Sequence, residues 1–179
     1  VQGAVTLTDT ALKTLNLTTA VKDSSTALTN GTVETLNVSG TNAVNLSTGT
    51  LTNLKTVTVA GTAGLTLDAD DADKLTSVDA SATSGKVTTV IDGDFATYKG
   101  GSGIDTVSFT ATSNVAKAIT LGAGNDTITL GATTIGAGTI DGGADTDTIS
   151  ITAAAAVTAS GNTTFAGKVT NFEQLTLTG

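Results

Sequence analysis

Cysteine, histidine, methionine, tryptophan and proline are all absent from this chain of 179 residues. Without cysteine, neither a disulfide framework nor a thiolate metal site can form. Aromatic residues make up only 3% of the sequence, so the core has to be assembled from small aliphatic side chains in thin layers. No apolar run approaches the roughly 20 residues of a membrane span, and no signal peptide is visible. Because the chain begins at Val1 rather than at a methionine, we expect it to be part of a longer protein.

Positive charge is also scarce, because eight lysines and no arginine stand against 16 acidic residues, for a net charge of −8. Contacts with phosphates require a basic face, so this balance argues against nucleic-acid binding. An acidic chain is instead suited to binding hard cations.

Threonine is the most abundant residue, with 41 copies. Its β-branched side chain fits the pleated surface of a sheet. The sequence has no long window rich in the Glu, Lys and Leu of typical helices. The composition therefore predicts strands and argues against helices.

Apolar residues at relative positions 1, 4 and 6 recur along the whole chain, most often in steps of 21 residues. Two longer steps, between the fourth and fifth repeats and between the last two, predict insertions near 95–99 and within 153–167. A unit of this size cannot bury its own apolar face, but stacking on its neighbours does so. The repeats are Leu12/Leu15/Leu17, Val33/Leu36/Val38, Leu54/Val57/Val59, Leu75/Val78/Ala80, Ile104/Val107/Phe109, Asn125/Ile128/Leu130, Thr146/Ile149/Ile151 and Phe172/Leu175/Leu177.

A second apolar strand recurs in most units, at Val5/Leu7, Val44/Leu46, Leu65/Leu67, 87–91, Ile119 and Ile140. Short strands joined by Thr, Gly, Asp and Asn corners predict a parallel β-solenoid, right-handed as crossover connections nearly always are. We expect an all-β fold of about eight coils of about 21 residues. Threonine-rich coils occupy 1–91, glycine-rich coils occupy 92–152, and a further coil with an insertion, continuous with the same solenoid, occupies 153–179.

A glycine-rich nonapeptide at 100–108 has the form G-G-x-G-x-D-x-U-x, where U is a large apolar residue. Two imperfect copies follow at 121–129 and 142–150, in which Leu121 replaces the first glycine and Asp145 replaces the third. The aspartates of the three copies, Asp105, Asp126 and Asp147, are 21 residues apart. This spacing predicts three carboxylates stacked in one column.

The residues at relative position 2 of each repeat indicate how such a column is neutralised. In the first half of the chain they alternate in sign, whereas in the second half they are a run of acids. Two carboxylates about 5 Å apart repel by roughly 3 kcal/mol at an effective dielectric of 20, and a cation between successive coils removes that cost. Calcium, with six to eight oxygen ligands, suits a carbonyl-lined corner better than magnesium does. The column reads Lys13, Glu34, Lys55, Thr76, Asp105, Asp126, Asp147 and Glu173.

Other acids near the three copies are further candidates as ligands, and those outside the third corner are the weaker ones. Two of them belong to the third corner, two precede the first copy and suit an end ligand, and two lie one coil earlier in an acidic run at 68–73. For that run, a solvated acidic turn partly paired with Lys74 is the favoured interpretation, because its spacing fits no calcium loop. In that order, the candidates are Asp141 and Asp145, Asp92 and Asp94, and Asp68 and Asp70. Ordinary Asp-Gly turns are the alternative for all of these corners, and three copies in phase argue against it.

Outward positions 3 and 5 of the repeats carry mostly hydroxyl side chains. Regular T-x-T ladders on a flat solenoid face can bind ice, and this pattern resembles such a face, so ice binding is a minor option. Asn16, Asn37 and Asp79 interrupt the ladder, and threonine is more common as a plain β-former. The pairs are Thr14/Asn16, Thr35/Asn37, Thr56/Thr58, Ser77/Asp79, Thr106/Ser108, Thr127/Thr129 and Thr148/Ser150.

Catalysis is disfavoured by the missing residue types. β-Helical lyases and epimerases need a base and a charge stabiliser in a groove. The chain has no His, Arg or Cys, and its only tyrosine, Tyr98, stands beside Lys99 in the predicted insertion. We therefore predict that the chain is not an enzyme, and that Tyr98 and Lys99 cover the solenoid at the insertion.

The three nonapeptides resemble the calcium-binding repeats of RTX proteins exported by type I secretion. The Thr/Ala/Gly-rich remainder, including 169–179, is similar to the solenoids of RTX-type bacterial surface-layer (S-layer) proteins. This resemblance implies that 92–152 is a calcium-binding β-roll in which Asp105, Asp126 and Asp147 give side-chain oxygens. The backbone carbonyls that it implies as ligands are those of Gly100, Ser102, Ile104, Leu121, Ala123 and Asn125.

The same resemblance implies a structural lattice subunit that is secreted unfolded and folds outside the bacterial cell, where calcium is millimolar. The implied partners are further copies of the chain and, through regions outside it, cell-surface polysaccharide. Besides the minor option of ice binding, two other functions remain open. One is the stalk of a secreted RTX adhesin, and the other is the calcium-binding accessory module of a secreted polysaccharide-active enzyme.

Overall fold

The solenoid that the repeats predict is found in the computed structural model of the chain, which describes residues 2–20, 23–68, 74–110, 114–131 and 134–179. Within these ranges the chain is all-β except for two short helices, α1 (Ala153–Ser160) and α2 (Thr163–Lys168). The strands are β1 (Gln2–Thr6), β2 (Thr14–Thr19), β3 (Ser24–Thr29), β4 (Thr35–Gly40), β5 (Val44–Asn45), β6 (Thr56–Gly61), β7 (Leu65–Leu67), β8 (Ser77–Thr83), β9 (Val87–Ile91), β10 (Thr97–Lys99), β11 (Thr106–Phe109), β12 (Asn114–Val115), β13 (Ala118–Thr120), β14 (Thr127–Gly131), β15 (Thr134–Ile135), β16 (Thr139–Asp141), β17 (Thr148–Thr152), β18 (Val169–Thr170) and β19 (Gln174–Thr178).

Nearly all of these strands belong to two parallel sheets, which the chain visits in turn. Sheet A contains nine strands in the order β1-β3-β5-β7-β9-β11-β14-β17-β19, and sheet B contains eight in the order β2-β4-β6-β8-β10-β13-β16-β18. The short strands β12 and β15 form a separate parallel pair. The architecture is therefore a stacked parallel β-solenoid, with a coil count that differs only slightly from the predicted eight.

The core lies between the two sheets and takes alternate residues from each strand. In sheet B the register places Leu36, Val57 and Val78 above one another, and each is at most 1% exposed. Fully burying such a side chain stabilises the fold by about 1.5–3 kcal/mol. The buried apolar residues are Val, Leu, Ile and Ala, as the low aromatic content predicts, with Tyr98 as the exception among the described side chains.

The apolar repeat does not follow one column along the whole solenoid, which corrects the prediction from the sequence. The first four triplets lie on β2, β4, β6 and β8 of sheet B, and the last four lie on β11, β14, β17 and β19 of sheet A. The longer step between the fourth and fifth triplets is a change of sheet. The acids from Asp105 onward therefore do not continue the column of Lys13, Glu34 and Lys55, which lies beside sheet B.

No insertion is present at 95–99, because Thr97–Lys99 is the regular strand β10. Tyr98 pairs with Val78 on one side and with Ile119 on the other, at a core position of sheet B. Its side chain is 1% exposed, so the prediction that it covers the solenoid is wrong. Ile104, predicted to begin a core triplet, is 55% exposed at the corner before β11.

The longer connection near the end of the chain forms the two helices, which the composition did not predict. Both lie between β17 and β18 and begin at a polar cap. The Thr152 hydroxyl accepts a hydrogen bond from the Ala155 N–H, and the Asn162 side chain accepts from Thr164 and Phe165. Such caps supply acceptors for backbone N–H groups of the first helical turn. Among the described residues, no helix is long and apolar enough to cross a membrane.

The alternating charges beside sheet B form the ion pairs that the sequence predicts. Glu34 accepts from the Lys13 ammonium at 2.8 Å and from the Lys55 ammonium at 2.6 Å, through different carboxylate oxygens. The hydrogen bond from Lys13, followed by that from Lys55, lowers the pKa of Glu34 to about 2. Opposite charges on successive coils therefore pair with each other along this column.

The predicted hydroxyl ladder also divides into two faces. The pairs that contain Asn16, Asn37 and Asp79 face outward from sheet B, whereas Thr106, Thr127 and Thr148 are in register on sheet A. On sheet B, Asn37 donates to the Asn16 side chain at 2.8 Å and accepts from the Thr58 hydroxyl at 2.6 Å. These side chains therefore satisfy one another along the stack.

Candidate metal centre

The three glycine-rich copies lie at one corner of the solenoid, where the chain passes from sheet B to sheet A. They follow β10, β13 and β16 and precede β11, β14 and β17. A parallel bridge joins Ala123 to Ala144, and the amides of these two residues donate to the carbonyls of Gly101 and Gly122 at 2.8 Å. The copies are therefore stacked one above another, as their constant spacing in the sequence predicts.

Close contact between successive corners explains the first glycine of the motif. A Cβ on Gly100 would lie 1.6 Å from the Leu121 carbonyl oxygen, and one on Gly142 would lie 1.9 Å from the Asn171 carbonyl oxygen. Each of these hypothetical atoms would also lie 2.8 Å from a carboxylate oxygen, of Asp105 and Asp147 respectively. At the first and third corners the absent side chain thus leaves the space in which backbone carbonyls approach the carboxylates, whereas Leu121 stands at this position in the second corner.

The three aspartates occupy core positions rather than an outer edge. Asp105 is 1% exposed, and Asp126 and Asp147 are 0% exposed. The register of sheet A places them in the inward column that earlier coils fill with Val44, Leu65 and Val87. The acids therefore replace a row of aliphatic side chains at the start of each strand.

One oxygen of each acid accepts a hydrogen bond from the backbone of the coil before it. The Oδ1 atom of Asp105 accepts from the Val87 N–H at 2.9 Å, that of Asp126 from the Asp105 N–H at 2.6 Å, and that of Asp147 from the Asp126 N–H at 2.8 Å. Glu173 continues the series by accepting from the Asp147 N–H at 2.8 Å. We call this series, Asp105 to Glu173, the carboxylate ladder.

The second oxygen distinguishes the three aspartates. The Oδ2 atom of Asp105 accepts from the Tyr98 hydroxyl at 2.8 Å. The Oδ2 atoms of Asp126 and Asp147 are buried without a hydrogen-bond partner. An isolated buried charge is strongly unfavourable, so these two oxygens require either a proton or a cation.

The electrostatics of the ladder agree with this need. Burial, and then the neighbouring charges of Asp105, Asp147 and Asp145, raise the pKa of Asp126 to about 7, although the Asp105 N–H opposes the shift. Burial likewise raises the pKa of Asp105 and of Asp147. Burial and the Asp105 charge raise the pKa of Tyr98, which therefore remains a donor. No lysine charge lowers the pKa of Asp126 or of Asp147.

Metal-free protein is expected to lose stability as the pH rises towards neutrality. The folded state holds the Asp126 proton more tightly than the unfolded state, whose ordinary pKa is 3.8. That stabilisation is complete below pH 3.8 and is lost as the pH rises through about 7, by on the order of 4 kcal/mol in total. Urea unfolding in EDTA, followed by circular dichroism between pH 4 and 8, measures this loss of stability. A free energy of unfolding that stays flat or increases over this range would contradict the shift.

The other predicted ligands are placed around these corners with partners of their own. The Asp141 carboxylate accepts from the Asn171 side chain at 2.7 Å, and that of Asp145 accepts from the Gly124 N–H at 3.1 Å. The Asn125 side chain accepts from the Thr146 N–H at 3.1 Å. Leu121 is fully buried and Ser102 is exposed, whereas Ala123 is half-buried. Asp145 has a φ of 83° at the position of the third glycine, so this corner keeps its backbone shape despite the substitution.

Asp92 and Asp94 lie at a different corner, so the prediction that they supply an end ligand is wrong. They follow the sheet A strand β9, whereas Asp105 precedes its parallel neighbour β11. The two corners are therefore at opposite ends of the sheet A strands, about 16 Å apart. Asp68 follows β7 at the corner equivalent to that of Asp92.

The rest of the acidic run at 68–73, including Asp70, lies outside the described residues, and so does the predicted pairing of Lys74 with it. The Lys74 ammonium donates to the Asn53 side chain.

The donor set fits a hard cation at two of the three corners. In the part of the chain that the structure describes, no group of three acids surrounds a common point. The ladder explains this, because each acid directs one oxygen to a backbone amide and stands above rather than beside the next. A cation there would take one carboxylate per corner, nearby backbone carbonyls and water, which are the oxygen ligands that calcium accepts. Asp126 and Asp147 offer the free oxygen that it requires, and Asp105 does not.

Tyr98 and Glu173 are the site residues whose roles sequence reasoning missed. Tyr98, Ile119 and Ile140 recur in steps of 21 residues, which marks them as one column of the core. That step was the available signal for placing Tyr98 inside the solenoid.

No family model, curated protein or solved structure matches the chain.

Proposed function

We propose that this chain is a calcium-stabilised structural unit of a bacterial surface layer, secreted and folded outside the cell. The observation that carries the proposal is the pair of buried, unpartnered oxygens on Asp126 and Asp147 at stacked glycine corners. Calcium supplies the positive charge that these oxygens lack, and carbonyls at the corners complete its oxygen shell. The resemblance of the repeats to those of RTX proteins points to the same ion.

Calcium would act through the folding equilibrium. Without it, the second half of the solenoid has to bury carboxylates that repel one another or hold protons, and its thin aliphatic core offers little to offset the cost. An ion that binds the folded chain more tightly than the unfolded chain adds its binding free energy to stability. Low cytosolic calcium would keep the chain unfolded for export, and millimolar calcium outside would fold it.

The role that we propose is mechanical and not catalytic. The only tyrosine is held by Asp105 inside the core, and one oxygen of Asp126 and of Asp147 accepts from a backbone amide. A rigid parallel rod suits a lattice subunit that contacts further copies of itself. Cell-surface polysaccharide would be bound through regions outside this chain.

Calcium is expected to raise the thermal midpoint of unfolding, and the midpoint should continue to rise with calcium concentration. Each site should add about 2.7 kcal/mol to the free energy of unfolding at a calcium concentration about 100 times its dissociation constant. Circular dichroism melts in EDTA, in calcium and in magnesium measure this. Magnesium is the control, because its strict octahedral geometry and firmly held water suit these corners poorly. A melting curve that is identical in EDTA and in calcium would rule out the structural role.

The lattice requires a separate measurement. Negative-stain images of the full-length protein with calcium should show ordered sheets, and images in EDTA should not. Isolated rods of tandem repeats would instead identify an adhesin stalk.

A further inference from the structure

The first corner, which carries the most complete copy of the motif, differs from the next two in its side-chain surroundings. The Asp105 carboxylate accepts from the Val87 N–H through Oδ1 and from the Tyr98 hydroxyl through Oδ2. A backbone hydrogen bond from Gly101 and the charge of Lys86 also favour its ionised form. This acid therefore has both oxygens engaged and a cationic side chain nearby.

The same inward column of sheet B continues at the next two corners without the hydroxyl. Tyr98 precedes Asp105 by seven residues on the inward column of sheet B. The residues that pair with it along this column are Ile119 and then Ile140, and these precede Asp126 and Asp147 by the same interval. Isoleucine cannot donate a hydrogen bond. The two carboxylates that follow an isoleucine are the two whose Oδ2 atoms have no partner.

We propose that the Tyr98 hydroxyl takes the place of a cation at the first corner, so that the chain holds calcium at Asp126 and Asp147 and not at Asp105. Tyr98 then marks the boundary between coils that fold without metal and coils that need it. Before this boundary Val44, Leu65 and Val87 fill the inward column, and Glu34 at the outer corner is paired with Lys13 and Lys55. This inference rests on the proposed calcium function.

Removing the hydroxyl with Tyr98→Phe tests the assignment. The variant leaves the ring in the core and frees the Asp105 Oδ2 atom, so that this carboxylate, like those of Asp126 and Asp147, has one unpartnered oxygen. Equilibrium dialysis should then detect one more calcium ion per chain than in the wild type. In EDTA the variant should melt at a lower temperature than the wild type, and saturating calcium should restore most of the difference.

A matched control removes another buried hydroxyl far from the ladder. The Thr19 hydroxyl donates to the Asn42 carbonyl in the first coils. Thr19→Val should lower the melting temperature equally in EDTA and in calcium and should leave the stoichiometry unchanged. A Tyr98→Phe variant that behaves like this control would overturn the inference, because the hydroxyl would then be an ordinary structural donor.

The unmodified protein provides a second readout, since Tyr98 is the only tyrosine and tryptophan is absent. A carboxylate that accepts from a tyrosine hydroxyl quenches its fluorescence. Saturation with calcium should therefore leave the Tyr98 emission low, whereas displacement of the hydroxyl by a metal ion at Asp105 would increase it. An increase at saturation contradicts the inference whatever the variant does.

The two proposals fail in different ways. A wild-type chain that binds no calcium would refute the proposed function. A wild-type chain that binds calcium, with no additional ion in Tyr98→Phe, would refute only the role of Tyr98.

Discussion

Asp126→Asn is expected to change stability in opposite directions with and without calcium. In EDTA above pH 7 the variant should be more stable than the wild type by about 1–3 kcal/mol, because it removes a buried unpaired charge while keeping an acceptor for the Asp105 N–H. In saturating calcium the wild type should be the more stable of the two, because the amide of the variant carries no negative charge to neutralise the bound cation. Urea unfolding at both conditions, with calcium stoichiometry measured in parallel, checks both halves of the prediction.

Asp141→Asn is the matched control for that substitution. Asp141 belongs to the third corner but is only half-buried, and its carboxylate already accepts from the Asn171 side chain. It should change stability by less than about 0.5 kcal/mol in either condition. If Asp126→Asn lowered stability by the same amount with and without calcium, the carboxylate would be no more than a hydrogen-bond acceptor.

Gly100→Ala is expected to cost at least about 3 kcal/mol, which is at the upper end of the usual range for overpacking. The new methyl group would lie 1.6 Å from the Leu121 carbonyl oxygen, which is backbone and cannot rotate away. The first and second corners would have to separate, and the hydrogen bond between Asp126 and the Asp105 N–H would lengthen. Equilibrium unfolding in urea measures the loss.

Gly167→Ala provides the comparison, because nothing lies within 4 Å of a Cβ there. Gly167 is inside helix α2, where alanine is favoured over glycine by roughly 0.5–1 kcal/mol. The two substitutions add the same atom and should have opposite effects. A Gly100→Ala protein as stable as the wild type would mean that the corners do not pack in this way.

Much of the fold follows from the sequence because one physical period governs it. Val107, Ile128 and Ile149 recur at one constant step, and each is buried at the position that this step predicts. The sign alternation of Lys13, Glu34 and Lys55 likewise predicts the ion pairs that are found. In a solenoid each coil repeats the one before it, so a periodic sequence specifies both the strand and its neighbours.

The sequence did not reveal which sheet a repeat belongs to. Both sheets bury alternate residues, so Leu75 and Val78 of sheet B give the same pattern as Ile104 and Val107 of sheet A. The longer step between these two repeats therefore fits an insertion and a change of sheet equally well. The pairing of Tyr98 with Val78 distinguishes them, and that contact is three-dimensional.

Composition alone also could not predict that the acids are buried. Carboxylates are rarely placed inside a core, so a column of them was expected at an edge. What allows it here is the backbone amide of the preceding coil, which each acid satisfies from an inward position. That arrangement depends on a register between strands that no single nonapeptide encodes.

The neighbour-only pairing of the coils has a consequence under load. Each strand is hydrogen-bonded only to strands one coil away, and no contact ties the two ends of the rod together within the described residues. A pull applied along the chain from either terminus would therefore unwind the stack turn by turn, releasing about 70 Å of slack for each turn of roughly 21 residues. The rod would therefore lengthen in many small steps and dissipate mechanical energy before its last turns open.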